Sequence, residues 1–114
     1  IFHVNWFRQD AAGRFLWPGF GDNLRVLEWI LARIDGRAPA RETPIGWMPS
    51  AQDLRTEGLD IAPGALDELL RVDVPAWRDE YAGLREHLAE YGDRTPKELA
   101  TELEHGLERL DAAS

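Results

Sequence analysis

The sequence predicts an α+β fold, in which an aromatic β-hairpin and loop lead into a mostly helical segment. Three observations carry that expectation. Apolar and polar residues alternate over 2–7 and return over 15–17 across a glycine-bearing turn. Residues 23–34 repeat apolar positions at helical spacing. Residues 73–110 carry two leucine-rich stretches, each opened by a helix-start signal.

With 114 residues the chain can form one domain with a modest core. It has no cysteine, so neither a disulfide nor a thiolate metal site is available. No run of about 18 apolar residues and no secretory leader pattern occurs, which predicts a soluble, cytoplasmic protein without a membrane partner. The net charge of −8 argues against nonspecific nucleic-acid binding. That charge is uneven: residues 1–50 carry six arginines against five acids, and residues 51–114 carry seven basic against sixteen acidic residues.

In the N-terminal strand, Phe2, Val4 and Trp6 point to one face and His3, Asn5 and Phe7 to the other. The chain opens in mid-strand at Ile1 and its single methionine is Met48, which predicts a piece of a longer polypeptide. Gln9 to Arg14 form the polar turn, with Gly13 supplying a positive φ. Phe15, Leu16 and Trp17 then return antiparallel, bringing Trp6, Phe7, Phe15 and Trp17 near Phe20.

The segment Phe15-Leu-Trp-Pro-Gly-Phe-Gly-Asp-Asn23 organises the rest. Pro18 and Gly19 mark a turn, Gly21 permits angles that a Cβ disfavours, and Asp22 or Asn23 can cap the next helix. The loop lacks the third glycine of a dinucleotide fingerprint, and Asp22 would repel an anion. Flat apolar faces beside an amide suit a planar heterocycle. The same residues also fit an aromatic mini-core under a helix cap.

Asn23 to Ile34 form the clearest helix: Leu24, Leu27, Leu31 and Ile34 follow its period, and Val26, Trp29 and Ile30 widen the stripe. A helix so apolar calls for burial on more than one side, and Gly36 suits its C′ position. Arg37 to Glu42 are a polar connector and Pro44 to Pro49 an extended stretch. Ser50 with Asp53 makes a capping box, and Pro63 suits the first position of a short helix bearing Leu66, Leu69 and Leu70.

Asp73 caps a helix whose face runs Val74, Trp77, Tyr81, Leu84, Leu88 and Tyr91. Thr95-Pro-Lys-Glu98 reads as a capping box before Leu99, Leu103, Leu107 and Leu110. Gly92 to Arg94 join the two as an antiparallel pair. Gly83 and Gly106 weaken these helices by roughly 1 kcal/mol each relative to alanine. His3, His87 and His105 form no metal spacing, and neither a nucleophile elbow nor a phosphate loop is present. The residues predict a binding site without reaction machinery, with no catalytic and no metal-ligating residue.

His3 to Arg8, Phe15 to Asn23, Arg25 to Trp29 and Thr43 to Gly46 resemble the C-terminal part of GTP-dependent phosphoenolpyruvate carboxykinase. The resemblance is dense over residues 1 to about 49 and rests on length and helical pattern beyond. It implies a fragment of a larger mixed α/β nucleotide-binding domain: residues 1–49 form the guanine-pocket hairpin, loop and helix, and 50–114 a C-terminal helical segment. The implied enzyme is a cytoplasmic, monomeric lyase of gluconeogenesis. It converts oxaloacetate and GTP to phosphoenolpyruvate, GDP and carbon dioxide, with manganese and a second divalent ion (magnesium or manganese) bound outside this segment.

By position, the resemblance implies that Phe7 and Phe20 sandwich the guanine, Phe15 closes the pocket, and Trp6 and Trp17 buttress it. Phe20, Gly21, Asp22 and Asn23 form the central loop, with Asn23 reading the polar edge of the base. Asp22 and Leu24 stand where the family often has Glu and Ser. The implied partners are a guanine nucleotide and the upstream part of the same enzyme, and the segment alone is expected to be inactive. The competing classes are an aromatic groove for a proline-rich peptide and a purely structural helical cap.

Overall fold

A computed structural model describes residues 2–113, so the strand opening assigned to Ile1 lies outside the described residues. The chain forms two compact units, Ile1–Arg41 with Trp47–Arg71, and Glu42–Gly46 with Val72–Ser114. Helices and one small two-stranded sheet make up the regular structure among the described residues.

In the first unit the expected hairpin keeps its turn and loses its ladder. Residues 2–5 form no strand. A single antiparallel bridge joins Gln9 and Phe15, with the Leu16 N–H bonded to the Arg8 carbonyl at 2.9 Å. Asp10 builds the turn, its Oδ1 accepting from the N–H groups of Ala12 at 2.8 Å and Arg14 at 3.0 Å. The Arg14 backbone N–H is the main reason the Asp10 carboxyl titrates below the usual carboxylate range. Gly13 holds the expected positive φ of 78°. The strand is missing for a local reason: Asn5 Oδ1 accepts the Phe7 N–H at 3.0 Å and bends the chain there. An isolated two-stranded ribbon is marginally stable and gains little to offset losing that bond.

Helix α1 spans Asn23–Ile34, as its period predicts, and Gly36 follows it at φ 70°. Burial on more than one side was expected, and within this chain one side is covered. Trp29 is buried with Val26 and Ile30 half-buried beside it, while Leu24, Leu27, Leu31 and Ile34 stand exposed. Both stripes are apolar, so periodicity could not choose between them. Trp29 decides the matter: its indole N–H donates to the Pro39 carbonyl at 3.1 Å and Phe2 meets its ring edge-on at 6.1 Å.

Strands β1 (Arg41–Thr43) and β2 (Gly46–Met48) form the sheet, a ribbon turning at Pro44 and Ile45. The connector and extended stretch read from the sequence conceal this pairing, because three-residue strands are too short to show a period. Ser50 and Asp53 make the expected capping box on a single 3₁₀ turn, Ala51–Asp53. Helix α2, Ala65–Leu69, begins two residues later than the proline signal suggests, because Gly64 caps it in the left-handed conformation at φ 79°.

In the second unit α3 (Val74–Ala89) and α4 (Lys97–Ala112) pack as an antiparallel pair. The direction is visible in its rungs: Arg78 bonds to Asp111 at 2.8 Å and Arg85 to Glu104 at 2.7 Å. Asp73 caps α3 as expected, accepting the Ala76 N–H at 3.1 Å. The capping box expected at α4 does not form. The Thr95 hydroxyl donates instead to the Leu88 carbonyl at 2.8 Å, adding a second donor to an acceptor that the Tyr91 N–H also reaches, at 3.2 Å, at the end of α3. Leu103, Gly106 and Leu110 are the buried face of α4. Arg109 Nε donates to the Pro44 carbonyl at 3.0 Å within the same unit.

Gly106 and Gly83 differ in a way their shared helix penalty hides. A Cβ at Gly106 would overlap the Tyr81 ring, reaching within 2.8 Å of its Cζ and 2.9 Å of its hydroxyl, whereas a Cβ at Gly83 would meet nothing. Opposite signs are therefore expected in urea unfolding. Gly83→Ala gains up to about 1 kcal/mol from helix propensity. Gly106→Ala loses about 1–3 kcal/mol to overpacking. Equal gains from both would show that α3 and α4 do not approach closely here.

Candidate ligand-binding loop

The loop before α1 is shaped by one glycine and one arginine. Gly19 holds φ 131°, in the region only glycine occupies readily, and releases the chain into a 3₁₀ turn at Phe20–Asp22. The special backbone therefore sits at Gly19, and Gly21, expected to need it, keeps a negative φ. Neither Asp22 nor Asn23 caps α1 through its side chain. Asp22 Oδ1 accepts instead from Arg25 Nε at 2.8 Å. The rest of that guanidinium donates to the Arg55 carbonyl at 2.7 Å and the Glu57 carbonyl at 2.9 Å. With the Arg25 side chain only 12% exposed, these bonds pin the loop to the 55–57 segment in a partly dry setting.

The aromatic residues divide into two pairs and one single ring. Trp6 and Trp17 lie 6.2 Å apart at 42°, and Phe7 meets Phe15 edge-on at 6.2 Å. Trp17 is 6% exposed, whereas Phe7 is 73%, Phe15 59% and Phe20 92% exposed. Among the described residues no other ring lies against Phe20. Asn23 belongs with the tryptophan pair, for its Oδ1 accepts the Trp17 indole N–H at 2.8 Å. The structure thus joins Trp6, Trp17 and Asn23, joins Phe7 to Phe15, and leaves Phe20 on the surface at the start of the turn.

A second arginine fastens the Phe7 side. Arg8 donates to the Leu69 and Arg71 carbonyls at 3.3 and 3.1 Å and to Glu68 Oε1 at 3.0 Å. Glu68 also receives Arg71, whose hydrogen bond is the chief cause holding its carboxyl below the usual carboxylate range. Sequence reading missed both Arg8 and Arg25 as site residues, because an arginine bonded to distant carbonyls leaves no local pattern. Among the described residues no group of three His, Cys, Asp or Glu could hold a metal ion. No helix among them is long and apolar enough to cross a membrane.

Comparison with known proteins places this loop in a family. A family model described as the phosphoenolpyruvate carboxykinase C-terminal P-loop domain matches residues 1–109, and the chain belongs to that family. Its relatives are named phosphoenolpyruvate carboxykinase [GTP]. The chain is similar to that of Treponema pallidum (strain Nichols), 53% identical over 105 residues covering 91% of this chain and 17% of the relative. It is also similar to that of Paenarthrobacter aurescens (strain TC1), 47% identical over 104 residues, 91% of this chain and 17% of the relative. A third, from Chlamydia muridarum, is 49% identical over 104 residues, 90% of this chain and 17% of the relative. The chain therefore spans about a sixth of the length of these relatives. The family's phosphate loop has no counterpart in it, since the single lysine, Lys97, follows a proline rather than a glycine.

If Arg25 is the fastening of the loop, its removal should be felt at both ends of its bonds. Arg25→Gln is expected to speed amide exchange at Asp22 and Leu59 by about tenfold or more, since hydrogen bonds to a charged group contribute about 1.5–3 kcal/mol. Those N–H groups bond to the Gly19 and Thr56 carbonyls respectively. Exchange in α3 and α4 should not change. Unaltered exchange at Asp22 and Leu59 would show that the loop is held by other contacts.

Proposed function

We propose that this chain supplies the guanine-binding loop of a GTP-dependent phosphoenolpyruvate carboxykinase. In that reading the complete enzyme converts oxaloacetate and GTP to phosphoenolpyruvate, GDP and carbon dioxide. The observation that supports the assignment most is the arrangement at the loop: an exposed Phe20 three residues before an amide that Trp17 holds in place. Membership of the family supports the nucleotide and the reaction.

The division of labour follows from chemistry. Phe7, Phe15 and Phe20 offer π-faces to a planar base, and stacking of that kind contributes affinity without choosing among bases. Choice requires a polar group satisfied by one base edge and stranded by another, which is the task assigned to Asn23 with the loop backbone. Trp6 and Trp17 support the platform from beneath. Gly21 and Asp22 complete the turn, Asp22 through its bond to Arg25. Holding the base fixes where the phosphates lie, so the chain contributes orientation to a reaction carried out by other residues. Manganese and the second divalent ion belong, on this reading, to other parts of the enzyme, and no step assigned to these residues passes through a metal. The chain alone should be inactive.

The upstream part of the same polypeptide is the partner for the exposed face of α1. Leu24, Leu27, Leu31 and Ile34 are partly covered already and would each gain roughly half of the 1.5–3 kcal/mol of full burial, and the relatives' additional length supplies chain to cover them. Leu31→Glu should therefore leave the unfolding midpoint of the 114-residue chain nearly unchanged and strongly destabilise the complete enzyme. An equal, small effect in both would mean that the face stays wet.

Stacking is tested most cleanly at Phe20, because its exposure separates binding from folding. In the complete enzyme Phe20→Ala or Phe7→Ala should weaken GTP binding by roughly 1–3 kcal/mol, with oxaloacetate affinity changed little. The melting temperature of the Phe20 variant should stay at the parent value. Unchanged GTP affinity in Phe20→Ala would remove this ring from the site.

A further inference from the structure

The Trp17–Asn23 bond fixes more than the position of an amide; it fixes which end of the amide is available. An indole N–H can only donate, so the atom facing it at 2.8 Å must be the Asn23 oxygen. The flip of this side chain is therefore determined by chemistry and needs no choice between look-alike atoms. Trp17 itself has little freedom, being 6% exposed and packed 6.2 Å from Trp6. With its oxygen turned toward the indole and one lone pair taken there, the end of the amide that faces away from Trp17 is its NH₂ group, a donor.

We propose that Trp17 is a specificity-determining positioning residue, which fixes the amide of Asn23 with its NH₂ end toward the base and so selects a purine with an oxygen at position 6. The inference rests on the guanine-loop reading above and names the device that gives it its selectivity. Guanine O6 accepts from the NH₂ group. Adenine presents an amino group there, so two donors would face each other and both would be left unpaired. An Asn free to turn by half a rotation about its terminal bond would present its oxygen to adenine and lose the distinction. Trp17 touches neither base nor phosphate in this scheme; it acts through the amide.

The test uses the complete enzyme and the affinities for GTP and ATP measured separately. Trp17→Phe keeps an aromatic ring and removes the N–H. The GTP-to-ATP preference is expected to fall by about one power of ten or more, partly through a gain for ATP. A role limited to packing would weaken both nucleotides together and leave the preference intact. In an Asn23→Ala background the same substitution should change the preference no further. Should Trp17→Phe fail to fold, 3-benzothienylalanine at position 17, introduced by codon suppression, replaces only the N–H by sulfur and should give the same fall. An unchanged preference in the variant that folds overturns the proposal. If Asn23→Ala narrows the preference and loss of the indole N–H does not, only the role of Trp17 is lost. If Asn23→Ala also leaves the preference intact, the reading of the base by Asn23 falls with it.

Discussion

The N-terminal unit depends on one hydrogen bond, from the Trp17 indole to the Asn23 amide at 2.8 Å. Trp17 ends the aromatic turn and Asn23 is the first residue of α1, so the bond closes the Pro18–Asp22 loop at its base. Around it the indole packs at a tilt against Trp6 and is withdrawn from water, where a polar contact is stronger and an unmade one costs more. The loop above can then carry an almost fully exposed Phe20 without collapsing onto its own aromatic residues. A ring left in water beside a fixed amide is a poor core and a serviceable binding surface.

Arginine takes over much of what a sheet would otherwise do. With so little regular β-structure, carbonyls in the connecting segments need other donors. Arg25 forks onto the Arg55 and Glu57 carbonyls, Arg8 onto those of Leu69 and Arg71, and Arg41 reaches the Leu70 carbonyl at 2.6 Å. A guanidinium presents donors in a planar fork, so one side chain can satisfy two acceptors and a carboxylate together. An ammonium group would serve this geometry poorly, and twelve of the thirteen basic residues are arginine. Arg8 and Arg25 both fasten parts of the candidate site, which makes the scaffold and the loop one hydrogen-bonded assembly within the first unit.

How much was legible in the sequence depended on the range of the interaction that decided each feature. Signals settled by neighbours in sequence were readable: the bounds of α1, the Asp73 cap, the Ser50–Asp53 box and the Gly13 turn. Features decided by which of several possible partners wins a side chain were not. Asn23 reads as a cap, but the indole of Trp17 claims its oxygen; Asp22 reads as a cap, but Arg25 takes it. Thr95 was expected to serve α4 and serves the end of α3. Gly106 looks like a weak point of a helix until Tyr81 is placed over it. The face that α1 buries was illegible because both sides are apolar, and a second apolar face has a use only when more protein covers it. The aromatic residues and the amide of the candidate site were all identifiable; the two arginines that hold it were not.

The central claim is that Asn23 meets the base with its NH₂ group because Trp17 holds its oxygen. A crystal structure of the complete enzyme with GTP tests it directly. The account predicts guanine stacked on Phe20, the Trp17 N–H still bonded to Asn23 Oδ1, and Asn23 Nδ2 within hydrogen-bonding distance (about 3 Å) of O6. A base bound away from this loop would contradict the account, and so would an amide turned from Trp17 with its oxygen toward the ligand.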